Sequence, residues 1–97
     1  MSRLAARVRD LIAHDRYVVG EHAAQRLAER GILEWQVVAG MDDARLIRER
    51  PRALPHPAVE MHVMLPDGTP IKAVWSLLRE ADVAKLVTVH FGDEEPQ

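Results

Sequence analysis

Two spacings of apolar residues divide the chain. Leu4, Val8, Leu11 and Ile12 recur three and four residues apart with Arg3, Arg7 and Arg9 between them. That spacing predicts an amphipathic helix over residues 3–14, with Ser2 in the N-cap position. From residue 59 the period becomes two: Val59, Met61, Val63 and Leu65 alternate with Glu60, His62 and Met64, and Ile71, Ala73 and Trp75 resume beyond Pro66-Asp67-Gly68-Thr69. Alternation on both sides of an Asp-Gly pair predicts a β-hairpin.

Between these two regimes the pattern is mixed. Tyr17-Val18-Val19 reads as a short strand or extended link ended by Gly20. Residues 21–30 read as a second helix with Ala24, Leu27 and Ala28 on its apolar side and Gly31 as a left-handed C-cap. A third helix is expected over residues 33–40, through Trp35 and Val38, stopping near Gly40. Residues 44–49 fit a first strand, and Pro51, Pro55 and Pro57 break the segment that follows. Glu80 to Asp82 form a polar turn before a last strand over 83–91, apolar enough on both sides to be central in the sheet. The tail from residue 92 is expected to fray.

Helices followed by strands predict one α+β domain over residues 1–97: a helical part (1–43) packed on an antiparallel sheet of three to four strands (44–91). A chain of 97 residues suits a single core. Composition makes it ordinary and globular, with Trp35 and Trp75 as the largest expected anchors and 47% hydrophobic residues. The absence of Cys excludes disulfides, zinc–thiolate sites and Cys nucleophiles, and fits a reducing, cytoplasmic setting. No long uncharged run near the start suggests a signal peptide or a membrane span.

Charge is uneven. Residues 1–52 hold ten Arg against eight acids, whereas residues 53–97 hold three cations against seven acids, for an overall charge of −2. A stable nucleic-acid binder is usually more basic than this, so the balance weakens a stable-binding reading more than a transient, catalytic one.

The arginine-rich half contains one row with chemical potential. On a helix His22, Arg26 and Arg30 align at i, i+4 and i+8, a ridge about 12 Å long. An imidazole can serve as general base, and guanidiniums grip phosphate oxygens in a bidentate fork. The same row is also what the solvated face of any helix displays, with Glu29 able to pair with Arg26; spacing leaves both readings open. His62 and Lys72, on opposite hairpin arms, are candidates for substrate contact. The histidines lack compact metal-ligand spacing, so no metal and no other cofactor are expected.

The pattern His22-Ala23, Arg26, Arg30-Gly31-Ile32, preceded by a short Tyr-containing stretch and followed by hairpins ending in Leu86-Val87-Thr88-Val89-His90, resembles the DUF4258 family. That family is similar to the RelE-like and related bacterial RNase toxin folds, in which N-terminal helices pack on a small antiparallel sheet. The resemblance implies a metal-independent endoribonuclease site between the second helix and the sheet, with catalytic positions at His22, Arg26, Arg30, Thr88 and His90. RNA would be the substrate and an antitoxin-like protein the cognate partner. Two other classes are weighed against it. A protein-interaction module of the same fold would use Trp35, Met61 and Met64 as anchors. A helix-turn-helix would present Glu34, Trp35 and Val38, a poor set for reading base edges.

Overall fold

The computed structural model describes residues 3–92. Helix α1 (Arg3–Ala13) leads to strand β1 (Tyr17–Val19), helix α2 (Glu21–Glu29) and helix α3 (Glu34–Gly40). A single 3-10 turn (Met41–Asp43) then precedes β2 (Arg45–Arg50), β3 (Ala58–Met64), β4 (Pro70–Leu78) and β5 (Val83–Phe91). Ser2, expected as an N-cap, and the tail beyond Gly92, expected to fray, lie outside the described residues.

The α+β class holds, but the sheet is larger and of different sense than the sequence suggests. It has five strands in the order β1-β5-β4-β3-β2, and β1 runs parallel to β5 while the other pairs are antiparallel. Three residues of β1 suffice because Gly20 N continues the ladder to Leu86 O at 2.9 Å. Strand β5 therefore has neighbours on both sides only over Ala84–Leu86.

All three helices contribute to one core against one sheet face. Leu4, Val8, Leu11 and Ile12 of α1, Ala23 and Leu27 of α2 and Val37 of α3 meet Val59, Met61, Val63, Trp75, Leu86, Val89 and Phe91. Three packing expectations change. Trp35 is not an anchor but 59% exposed, with Val37 taking the buried place on α3. On α2 the buried side is set by Ala23 and Leu27, and Ala24 and Ala28 face outward. Met61, a candidate interface anchor, is buried at the centre, whereas Met64 is exposed.

The N-terminal arginines mostly serve this packing. Arg7 pairs with Asp82, Arg9 donates to Ala44 O, and Arg16 donates to Asp82 O at 2.9 Å and Ala81 O at 3.0 Å, fixing the end of α1 to the β4–β5 turn. Tyr17 donates to Glu34 at 3.1 Å and meets Trp75 edge-on. Burial and the Glu34 carboxylate both raise the Tyr17 pKa. At the hairpin turn Gly68 takes the φ of +90° that the Asp-Gly pair predicts, and Asp67 accepts from Thr69 N at 3.0 Å.

Gly40 sits against β3 with no room for a side chain. A Cβ there would lie 2.5 Å from Val63 Cγ1 and 2.8 Å from Met64 O. Gly40→Ala is expected to cost about 1–3 kcal/mol by overpacking. The check is a lower urea midpoint with an unchanged m-value.

Candidate functional site

The sheet face opposite the helices is where ionisable side chains collect, and two bulges put them there. On β5, Trp75 pairs with Leu86 but Val74 pairs with Thr88, so Val87 is an inserted residue. The insertion switches the parity of the strand. Ala84, Leu86, Val89 and Phe91 are buried, while Lys85, Thr88 and His90 share the open face with Ser76, Val74 and Lys72. On β2 the register shifts between Leu46 and Arg48, and in the same way Arg45, Arg48 and Arg50 pair with His62, Glu60 and Ala58 on that face.

Three rows result. The first runs Arg45, His62, Lys72, His90; the second Arg48, Glu60, Val74, Thr88; the third Arg50, Ala58, Ser76, Lys85. Five cationic side chains thus share the described strands' open face with one carboxylate, in a chain of net charge −2. Glu60 is 7% exposed and neutralised on both sides, by Arg50 Nε at 2.7 Å and Lys72 Nζ at 3.5 Å. Thr88 Oγ1 is buried without a hydrogen-bond partner. A recess of about 390 Å³ lies over these groups, roofed by the loop carrying Leu54, Pro55 and His56.

The candidates on the sheet therefore come together: His62, Lys72 and His90 line one depression with Ile47 and Gly92, and Thr88 sits one row away. The helix candidates occupy the margin. His22 is exposed and lines a shallow recess with Glu21, Gln25, Lys85 and Val87. Lys85 and Val87 also line the recess on the sheet face, so the two hollows adjoin, but His22 and His90 do not line a common one. Arg26 and Arg30 are engaged by the last strand. Arg26 Nε donates to Val89 O at 3.3 Å, and the two guanidiniums lie 5.6 Å and 4.3 Å from the centre of the Phe91 ring. They cover the stretch of β5 that β1 is too short to pair.

A family model for a domain of unknown function, DUF4258, matches residues 19–91. The chain belongs to this family. The matched span contains α2, α3, β2 to β5 and every candidate residue, and leaves α1 outside. No curated protein and no solved structure matches the chain. Within the described residues of this DUF4258 domain, no three His, Asp or Glu side chains group as metal ligands, and no helix is long and apolar enough to cross a membrane.

Sequence reading of the DUF4258 domain passes over Arg45, Arg48, Arg50, Lys85 and Glu60. A trace of the β5 bulge is present: Leu86 and Val89, both buried, stand three residues apart where a regular strand would place them on opposite faces.

Proposed function

We propose that this DUF4258 domain is a metal-independent endoribonuclease of the RelE-like toxin kind that works on the open sheet face. The observation that carries the reading is the row His62, Lys72, His90, in which an ammonium lies between two imidazoles on a face dominated by cations. Adjacent strands are about 4.8 Å apart, so the two imidazoles stand roughly 10 Å apart at their backbones. A phosphodiester over Lys72 would be flanked by both.

The chemistry follows from that set. One imidazole takes the proton of the ribose 2′-OH as its oxygen attacks phosphorus. The other protonates the 5′-oxygen as the P–O5′ bond breaks, giving a 2′,3′-cyclic phosphate and a 5′-hydroxyl end. Lys72 offsets the charge that gathers on the phosphoryl oxygens. The cations of β2 and Lys85 hold the flanking phosphates, an attraction that weakens with salt. His22, beside Lys85, contacts the strand as it leaves the face. An antitoxin-like partner would silence the domain by covering the same cationic face, and acidic side chains suit that role.

The purified protein is expected to cleave single-stranded RNA in the presence of a chelator, and to leave intact an RNA with a 2′-deoxy group at the cleavage point. If a broad RNA panel stays intact with and without ribosomes, and induced expression leaves growth unchanged, the enzyme reading fails. The protein-interaction reading then gains, for which exposed Trp35 on α3 and Leu33 just before it are the anchors.

A further inference from the structure

The recess beside Lys72 and His90, which His62 does not line, reaches toward loop 51–57, and this part has a different chemistry. Val74 and Val87 line it from β4 and β5, Leu54 and Pro55 line it from the loop, and Glu60 and Thr88 border it. Leu54 is 92% exposed, an apolar side chain left in water beside that apolar lining. The volume, about 390 Å³, lies within the range of small-molecule sites. A slot lined by apolar side chains from both the sheet and the loop, opening beside a phosphate position, suits a flat ring. Single-stranded RNA offers such rings as unstacked bases.

We propose that this slot is a subsite for one guanine base of single-stranded RNA, next to the phosphate over Lys72. The inference rests on the RNA-cleaving reading and adds a base preference to it. Glu60 decides which base. A carboxylate at the centre of a cationic face weakens its attraction for phosphate, so a purely electrostatic RNA surface has no use for it. An ionised carboxylate only accepts hydrogen bonds and has about four lone-pair positions. Arg50 and Lys72 each reach one oxygen, leaving acceptor capacity on both. Guanine presents two adjacent donors, N1–H and the N2 amino group, on its pairing edge. Adenine and cytosine each place a ring acceptor beside a single amino group, and uracil places its one N–H between two carbonyls. Guanine alone satisfies both oxygens without facing a lone pair to them.

The test is binding of GMP, AMP, CMP, UMP and ribose 5-phosphate to the intact protein by calorimetry. GMP is expected to bind about tenfold more tightly than the other nucleotides, the equivalent of one net charge-assisted hydrogen bond. Glu60→Gln is expected to bring the four within about twofold of one another, because the amide turns one acceptor into a donor. It should at the same time tighten ribose 5-phosphate binding, since a negative charge has left the face. Leu54→Ala is expected to weaken all four nucleotides and leave ribose 5-phosphate unchanged. Equal affinities for the four in the unaltered protein overturn the proposal, as does a preference that survives Glu60→Gln. Should Glu60→Gln not fold, methyl resonances of Val74 and Val87 in the unaltered protein decide: shifts with GMP that AMP fails to match support the slot, and their absence overturns it. Binding needs no cleavage. An inactive protein that prefers GMP loses only the nuclease reading, and an active one without a base preference loses only the slot.

Discussion

Replacing His90 by Ala is expected to slow RNA cleavage by about 10²–10⁴-fold, the usual worth of one positioned acid or base. His62→Ala should cost a similar factor. The double variant should fall little further than either single one, because two groups that act in one proton-transfer step do not contribute additively. Both side chains are only half-buried and stand on the open face, so neither change should move stability by more than about 0.5 kcal/mol. His22→Ala separates two pairings: it should lower cleavage far less than His90→Ala. A fall as deep as that of His90→Ala, with His62→Ala near normal, would place the second group on α2 and overturn the row as the acid–base pair. Full activity in His90→Ala would remove the site altogether.

Much of the fold is legible in the residue pattern because helix and strand burial impose different periods. Residues at 4, 8, 11 and 12 and at 59, 61 and 63 have one face to bury, and the structure buries them. What the pattern hides are events that change parity without changing composition. The insertions at Ile47 and Val87 are single residues in apolar or mixed strands, yet each decides which side chains on its strand reach the open face. Without them Arg45 would lie opposite Arg48 and Arg50, and Lys85 opposite Thr88 and His90. The cationic face exists only after both shifts. The parallel pairing of β1 is hidden for another reason: three residues carry too little pattern to show which strand they join. The arginine count misleads in the opposite direction. Arg7, Arg9, Arg16, Arg26 and Arg30 all touch carboxylates, carbonyls or a ring within the fold, which no local spacing reveals. The ridge on α2 is real as geometry, but two of its three members face Phe91.

That contact leads to the largest expected change in stability. Phe91 is 3% exposed, pairs with Ile71, and carries Arg26 and Arg30 over its ring. Phe91→Ala should cost about 3–5 kcal/mol from lost burial and the cavity left behind. Small domains have only about 5–15 kcal/mol in total, and each kcal/mol shifts the melting temperature by about 4–8 °C at this size. Thermal unfolding should therefore begin close to ambient temperature. Phe91→Leu separates packing from the ring: it keeps an apolar side chain in the core and removes the π-face that the guanidiniums meet. Arg30→Ala in the native background should lose about 0.5–1 kcal/mol, the range for an exposed cation–π pair, and lose almost nothing when combined with Phe91→Leu. Such coupling would make Arg30 a clamp that holds α2 against the unpaired edge of β5. If Arg30→Ala instead leaves unfolding unchanged and weakens RNA binding, the guanidinium meets phosphate, and the α2 ridge belongs to the site rather than to the scaffold.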